Sequence, residues 1–445
     1  MKSICLFFQV HQPIKYRRYR FFDIGNDHYY YDDYSNETSL RKVNEQSYLP
    51  ANKLLLDLIL KHNGNLKVSF SITGVALDQF EIYAPEVILS FKKLADTGCV
   101  EFLSETYSHS LSSLRNHSVF AKEVKMQTDR IYALFGQKPQ VFRNTEMIYS
   151  DEIGAQVYQM GYKAILTEGA RHVLGWKSPN FLYVNAINPR MKVLMRNFKL
   201  SDDISFRFSN QNWSEFPLTA EKFTSWLEKL QEKEEVINLF LSYESLGIRQ
   251  PENTGIFNFL EHWVNNIVKG NDFKFTTPSE AIQELQPVSL VSVPQPISWA
   301  DEERDLTSWL GNEMQKEAFE KLYSLAPLMD KCQNEELMRD WKYLQESDHF
   351  YFMSTKYFSG NQGMIYQNPF DSPYEAFINY MNILSDFAIR LNLVVQADDE
   401  GQDITRLQEL LQEKEKKIRT MEIELEKLKK KIPLKNRTVR KNKEK

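Results

Sequence analysis

Residues 4–13 read ICLFFQVHQP, an almost unbroken apolar run that ends in His11-Gln12-Pro13. Such a run is typical of a strand that is buried on both faces of a parallel sheet. Similar runs recur at 66–72, 100–103, 140–143, 163–167, 193–198, 236–241 and 273–276. Between many of them lie helical patterns, at 50–61, 85–97, 118–135, 150–160 and 219–232. This alternation predicts a parallel α/β architecture, and a barrel is its simplest form.

Polar side chains follow these runs, at the strand ends where a parallel barrel carries its chemistry. They are His11, Glu105, His109, Glu146, Glu168, Ser242 and Glu244. We therefore expect these side chains to converge in one cleft at the carboxyl end of the sheet.

The charge balance and the apolar pattern exclude several classes of protein. The chain has 55 Lys and Arg against 60 Asp and Glu, so it offers no excess of basic residues to nucleic acid. No stretch reaches the ~20 apolar residues of a membrane span. Cys5, Cys99 and Cys332 are odd in number and far apart, which predicts no disulfide framework. We expect a cytoplasmic protein without a signal peptide or a cofactor.

The character of the sequence changes beyond residue 290. The chain divides into a barrel at 1–290, a helical domain at 291–393 and an acidic linker at 394–403. Spacings of three and four then predict a coiled coil over 404–432, through which the chain would form a homo-oligomer. Its seam positions are Ile404, Leu407, Leu411, Lys414, Ile418, Met421, Leu425, Leu428 and Ile432. The segment 433–445 is rich in basic residues and is expected to be a disordered tail.

Two chemistries suit a cleft of histidine, glutamate and tryptophan side chains. Glycoside cleavage needs two carboxyl groups on opposite sides of the scissile bond. Metal-dependent deacetylation needs a histidine pair at short spacing, but His109 has Ser113 four residues on, and His117 lies too far along. The sequence therefore favours glycoside cleavage and predicts no metal site.

Four segments after predicted strands carry a resemblance to a known family. They read HQP at 11–13, VEFLSETYSH at 100–109, FRNTE at 142–146 and SYESLG at 242–247. In this order they resemble successive signature regions of glycoside hydrolase family 57, most closely its α-amylase-type members. The resemblance continues through 200–208, 254–257, 277–281 and 299–310, and so spans roughly residues 1–390.

The resemblance implies a seven-stranded, incomplete (β/α) barrel followed by a helical domain, and retaining cleavage or transfer of α-glucosidic bonds. It assigns the nucleophile to Glu146, for which a helix-capping role is the alternative. The family's acid/base is an aspartate before Tyr-Glu, and this chain has Ser242 there. Because a serine hydroxyl is too weak an acid, the contribution of general acid catalysis, about 10²–10⁴-fold, should be lost. Ile248 and Arg249 replace two further polar residues of the same family motif.

The resemblance also implies roles for other residues of the cleft. His11 and His109 would line the subsite of the scissile sugar, and Glu105 would either accept a sugar hydroxyl or orient one of these histidines. Trp299 and Trp309 would either stack on glucose rings or pack the helical domain against the barrel.

Further carboxyl groups are candidates to replace the missing acid. The family has a glutamate at the position of Glu244 as well as the aspartate, so we assign Glu244 to substrate binding. The remaining candidates are Glu168, Glu215 and Asp301. Asp202 and Asp203 precede a strand-like segment at 204–208 and are interpreted as turn residues.

Three functions follow from these residues. The first is an α-amylase-like protein that binds an α-glucan or maltooligosaccharide and has weak or no hydrolytic activity. The second is an active hydrolase or glucanotransferase that uses a non-standard acid. The third is a scaffold or glucan sensor that assembles through the coiled coil.

Overall fold

The computed structural model describes residues 1–356 and 368–431, and a ring of parallel strands lies at its centre. The strands are β1 (Lys2–Val10), β2 (Val68–Ile72), β3 (Val100–Leu103), β4 (Val141–Arg143), β5 (Ala164–Glu168), β6 (Leu182–Asn185), β7 (Lys192–Arg196), β8 (Val236–Ser242), β9 (Phe273–Phe275) and β10 (Ser289–Val291). β1 pairs with β2 and β8, β2 with β3, β4 with β5, and β7 with β5 and β8, all in parallel. Ser104, which follows β3, bridges to Phe142 of β4 and closes the ring.

The parallel ring agrees with the expected barrel. Two of its neighbouring strand pairs are joined at a single residue pair each. β3 meets β4 through the Ser104 bridge alone, and β7 meets β8 at the single pair Arg196–Asn238. β9 pairs with the first residues of β1, below the point where β2 begins to pair. The antiparallel β6 and the edge strand β10 were not predicted, because such short strands give too little periodicity to detect.

The helices cover the outside of the ring and form a separate layer after residue 306. They are α1 (Asp33–Val43), α2 (Leu49–Lys61), α3 (Gly74–Tyr83), α4 (Pro85–Ala95), α5 (His117–Phe135), α6 (Asp151–Gln159), α7 (Arg171–Leu174), α8 (Phe198–Asp202), α9 (Ala220–Glu228), α10 (Ile256–Lys269), α11 (Pro278–Glu284), α12 (Thr307–Leu310), α13 (Glu313–Ser324), α14 (Ala326–Met329), α15 (Glu335–Leu344), α16 (Ser347–Phe352) and α17 (Pro373–Lys431). The prediction of a strand at 204–208 was wrong, because Asp203–Arg207 form a π-helical turn that continues α8.

Strand β1 shows why both faces of the runs are apolar. Phe7 packs inside the barrel, where its ring stacks on Phe240 of β8 at 5.0 Å. The alternate residues Leu6 and Phe8 belong to the core between the strands and the outer helices. Side chains of a strand point to opposite faces in turn, so each strand serves two cores.

The helical layer closes one end of the barrel. Ser347 of α16 donates its backbone N–H to the carbonyl of His109 at 3.0 Å, and Ser110 bridges to Glu346. Behind this contact, α13, α15 and α16 pack against the first half of α17, which buries Tyr380 and Phe387. The strand ends and the helical layer therefore meet where polar side chains were expected to converge.

Helix α17 continues through the segment expected to be a linker, so residues 394–403 are helical. Two seam residues of the predicted coiled coil, Leu411 and Met421, are 62% and 58% exposed in the single chain. Ile432 and the basic tail at 433–445 lie outside the described residues. None of the described helices is long and apolar enough to cross a membrane.

Candidate active site

Glu146 lies directly after β4, in the short turn Thr145–Met147, and is 3% exposed. Its backbone is left-handed, with φ of 52°, and Met147 follows with φ of 55°. Two consecutive left-handed residues without glycine are energetically unfavourable, and such strain concentrates at functional sites. Because the turn is 3₁₀ and Glu146 itself is left-handed, the alternative role as a helix cap finds no support here.

Both carboxylate oxygens of Glu146 accept hydrogen bonds. His109 donates from Nε2 to Oε1 at 2.9 Å, and the indole Nε1–H of Trp299 donates to Oε2. The backbone N–H of Trp299 also donates to the carbonyl of Glu146 at 3.2 Å. The carboxylate is therefore fixed in orientation by one residue after β3 and one from the segment after the barrel.

His109 links Glu146 to a second buried carboxylate. Burial lowers the pKa of His109, but hydrogen bonds to Glu105 and Glu146 outweigh it and raise the pKa to about 9. The imidazolium donates from Nδ1 to Glu105 at 3.4 Å, and Arg143 donates to the same oxygen at 3.3 Å. Glu105 is fully buried, so of its two expected roles the structure supports the orientation of His109.

His11 lies behind His109, and their rings stack at 4.2 Å. The Nδ1 atom of His11 is 3.0 Å from the hydroxyl of Thr73, and Nε2 is 2.9 Å from the carboxylate of Asp348 in α16. His11 is fully buried, and its ring packs against that of His109.

Within the described residues, one group of side chains has the spacing of metal ligands. Ligand atoms of His11, Glu346 and Asp348 lie within 4.8 Å of one another, and all three residues are buried. Within this group, Nε2 of His11 and the carboxylate of Asp348 are joined by a hydrogen bond of 2.9 Å. Through this bond the group supports the stack of His11 on His109.

Ser242 ends β8 and lies opposite Gln9 of β1 in the parallel register. Its hydroxyl donates to Oε2 of Glu244, while Gln12 donates to Oε1 at 3.1 Å and the hydroxyl of Tyr48 donates to the same oxygen. Glu244 is thus held by three neutral donors, and position 242 supplies no carboxyl group.

The loop after Glu244 contains Ile248 and Arg249, which the sequence comparison expected to replace polar residues of the family motif. The backbone N–H groups of Ile248 and Arg249 donate to the carbonyl of Glu244 at 3.2 and 2.8 Å. The Arg249 guanidinium stacks over the ring of Phe206 at 4.5 Å. Gly247 has φ of 102°, and a Cβ there would meet the carbonyl oxygen of Gln46 at 1.8 Å, so this turn requires glycine.

The other candidate carboxyl groups are held in ion pairs. Glu168 is fully buried, 3.0 Å from Arg196; burial raises its pKa against the opposing effect of Arg196 and Arg304. Glu215 pairs with Lys222 at 2.8 Å. Asp301 pairs with Lys356 at 2.9 Å and lines a cavity next to Trp299. Asp202 pairs with Arg196 at 2.5 Å and with Arg304 at 3.5 Å, so it is more than a turn residue.

A cavity of about 820 Å³ lies beside Trp299. Its lining is formed by Arg171, His172, Phe198, Asp202, Phe206, Arg207, Trp299, Ala300, Asp301, Glu302, Glu303, Arg304, Tyr351 and Lys356. Glu146 does not line this cavity itself, and Trp299 connects the two. Trp309 is 1% exposed and packs near Tyr351 in the core, so of its two expected roles the structure supports packing.

Three residues of the site had no role assigned from sequence. Arg143 and Gln9 bond to each other at 2.7 Å inside the barrel, and Asp348 reaches His11 from 337 residues away. A polar residue within an apolar run could have indicated Gln9 and Arg143. We find no local signal for Asp348.

Comparison with known proteins finds both a matching family model and a similar relative. A family model described as glycosyl hydrolase family 57 matches residues 5–294. A Methanocaldococcus jannaschii protein named "Putative alpha-amylase" is 39% identical over 393 residues, which cover 85% of this chain and 83% of that protein.

Two solved structures share the fold at low sequence identity. A family 57 branching enzyme from Thermococcus kodakaraensis has a TM-score of 0.64 at 13% identity, over 88% of this chain and 90% of its own. The 4-alpha-glucanotransferase of Thermococcus litoralis has a TM-score of 0.62 at 15% identity, over 86% of this chain. The chain spans 59% of the length of that glucanotransferase.

Proposed function

Since the chain belongs to glycosyl hydrolase family 57, we propose that it binds an α-glucan beside Trp299 and has weak or no hydrolytic activity. One observation carries this proposal. Glu146 is oriented by two donors, whereas Ser242 offers a hydroxyl that is itself bonded to Glu244.

In retaining cleavage, the residues at positions 146 and 242 would have different roles. Glu146 would attack the anomeric carbon, while a second carboxyl group about 5–5.5 Å away would protonate the leaving oxygen and later deprotonate water. A serine can supply neither proton transfer at a useful pKa, so both steps lose their acid/base partner. The nucleophile would remain able to react where the leaving group needs no proton.

The cavity beside Trp299 has the composition expected of a saccharide site. Rings of Trp299, Phe198 and Tyr351 line it together with charged side chains; Trp299 is 6% exposed, and the Phe198 ring also carries the guanidinium groups of Arg171 and Arg304. Aromatic faces pack against the C–H face of a sugar, and polar groups fix its hydroxyls. A volume of about 820 Å³ has room for an oligosaccharide segment.

Calorimetric titration with maltoheptaose, together with a reducing-end assay, tests this proposal. We expect saturable binding by the wild-type protein and by Glu146→Gln, with no turnover by either. Trp299→Ala should lose binding. Trp176→Ala should retain it, because Trp176 lies outside the cavity and is 93% exposed. Robust turnover that Glu146→Gln abolishes would overturn the proposal, as would a complete failure to bind.

A second candidate function is an active hydrolase or glucanotransferase that uses Asp301 as its acid. Asp301 lines the same cavity as Trp299 and has a left-handed backbone, with φ of 51°. Its ion pair with Lys356 opposes this role, because the pair stabilises the charged carboxylate. If turnover is found, Asp301→Asn should abolish it, and activity that survives this substitution excludes Asp301 as the acid.

The C-terminal half of α17 supports a proposal of assembly. Leu411 and Met421 are exposed at seam positions of a helix that continues to Lys431, and a second copy would bury them. Light scattering should give a multiple of the 52.5 kDa chain mass, and removal of residues 400–445 should reduce it to a monomer. An unchanged mass after truncation would contradict the coiled coil.

We propose a cytoplasmic location because of the state of the cysteines. Cys5, Cys99 and Cys332 are all buried and free. Buried free thiols fit a reducing compartment, where disulfides are rare.

A further inference from the structure

A second cavity of about 560 Å³ adjoins the one beside Trp299. Arg171, Phe198 and Arg207 line both cavities, so the two share a wall. The second cavity also has Lys199 and two tryptophans, Trp213 and Trp226, in its lining. A chain that occupied the first cavity could therefore continue into the second.

The charges of the second cavity do not balance. Its two acids are each matched by a cation, because Asp203 pairs with Arg207 at 2.5 Å and Glu215 pairs with Lys222 at 2.8 Å. Arg171 and Lys199 are exposed, and neither makes an ion pair with a carboxylate of the described chain. With Lys222, which lies next to the lining, four cations thus face two acids, an excess of two positive charges; Lys199 also stabilises the charged forms of Asp203 and Glu215.

The geometry at the shared wall suits an oxyanion. The Arg171 guanidinium stacks over the Phe198 ring at 5.3 Å, and Arg304 stacks over the same ring at 5.1 Å. A guanidinium that stacks on a ring keeps its N–H donors in its own plane, where they can bind a phosphate or carboxylate with two hydrogen bonds. A phosphoryl group matches this donor arrangement and the two excess charges.

The tryptophans supply a place for the sugar that carries the anion. Trp213 and Trp226 meet at 6.0 Å between ring centroids and 78° between planes, and both are partly exposed. Two rings at such an angle form an apolar corner that fits the C–H face of a pyranose.

We propose that the second cavity binds a phosphate ester carried by the glucan, so that the ligand is a phosphorylated α-glucan. Arg171 and Lys199 bind the phosphoryl group, Trp213 and Trp226 contact the sugar that bears it, and the neutral part of the chain lies beside Trp299. The inference rests on the proposed glucan binding and specifies the ligand class.

Three ligands test the inference by calorimetry on the full chain: a neutral maltooligosaccharide, the same oligosaccharide with a phosphate ester, and inorganic phosphate. We expect the phosphorylated oligosaccharide to bind about tenfold more tightly than the neutral one, as one charge-assisted contact provides. The preference should weaken at high salt. Arg171→Gln and Lys199→Gln should each reduce it, and the double variant should abolish it. Arg190→Gln, which changes an exposed arginine outside both cavities, should leave it unchanged.

Each outcome has a distinct meaning. Equal affinity for the two oligosaccharides overturns the inference and leaves glucan binding intact, as does a preference that survives the double variant. If inorganic phosphate binds as tightly as the phosphorylated oligosaccharide, the cavity holds a free anion and the glucan part of the inference fails. If neither oligosaccharide binds, the proposed function fails first. The substituted side chains are exposed, and an unchanged Tm would verify that the variants fold.

Discussion

Two groups of polar residues can be compared, one around the proposed nucleophile Glu146 after β4 (the nucleophile side) and one around Ser242 and Glu244 at the end of β8 (the acid/base side). The nucleophile side comprises Glu105, His109, Arg143, Glu146 and Trp299, and it pairs two buried anions with two buried cations. On the acid/base side, Gln12, Tyr48 and Ser242 are neutral donors around the single carboxylate of Glu244.

Under the proposed roles of Glu146 and Ser242, this difference accounts for a retained carboxylate on the nucleophile side and a serine on the acid/base side. Removing one partner from a set of balanced buried charges leaves an uncompensated charge, which is strongly destabilising. At position 242 the serine hydroxyl bonds to Glu244, whose carboxylate is held by neutral donors, so a neutral residue at 242 removes no partner from an ion pair. An aspartate there would instead place two carboxylates side by side, which like-charge repulsion disfavours.

The largest expected effect is on activity, from Ser242→Asp. The introduced carboxyl group would lie beside Glu244, whose charge would raise its pKa toward the range of a general acid. We expect maltooligosaccharide hydrolysis to rise by about 10²–10⁴-fold in a reducing-end assay. Ser242→Asn should give no gain, and Glu146→Gln in the Ser242→Asp background should remove it. If Ser242→Asp has no effect, then the loop with Ile248 and Arg249 also limits catalysis.

The nucleophile side should be the more sensitive to loss of a charge. Arg143→Met leaves Glu105 buried with less compensation, so the free energy of unfolding should fall by about 3–5 kcal/mol. Denaturant unfolding at neutral pH measures this change. A loss below 1 kcal/mol would show that the two sides do not differ as described.

The third effect concerns the pH dependence of stability through His109. Its pKa is raised from 6.5 to about 9 in the folded protein, so its contribution is fully present below pH 6.5 and is lost as pH rises through about 9. The stability advantage of wild type over His109→Gln should therefore shrink by about 3 kcal/mol across this window. Urea unfolding of both proteins at several pH values provides the measurement, and a constant difference would contradict an imidazolium at this position.

The smallest effect is expected on the acid/base side. Tyr48→Phe removes one neutral donor to Glu244, while Gln12 and Ser242 still bond to that carboxylate. The free energy of unfolding should fall by about 1 kcal/mol, well below the effect of Arg143→Met. An effect as large as that of Arg143→Met would show that Glu244 depends on Tyr48 more than this comparison allows.

Much of the fold and part of the site could be predicted from local sequence. The apolar runs between helical patterns predicted all seven strands of the ring, because these strands are buried on both faces. The residues that follow these runs included Glu146, His109 and Ser242. The distant partners could not be predicted, because Asp348 reaches His11 only through the packing of α16 on the barrel end. The role of Trp309 could not be predicted either, because the sequence of a helix-rich segment does not show whether its aromatic residues are buried.

The most direct test of the central claim compares two donors on the wild-type protein: maltosyl fluoride, whose leaving group needs no protonation, and maltoheptaose. Because Ser242 cannot activate water for the second step, we predict that the fluoride gives a glycosyl adduct on Glu146 that accumulates and is detected by peptide mass spectrometry. Maltoheptaose should give neither adduct nor product. Absence of the fluoride adduct would contradict a competent nucleophile, and comparable cleavage of maltoheptaose would contradict the loss of the acid.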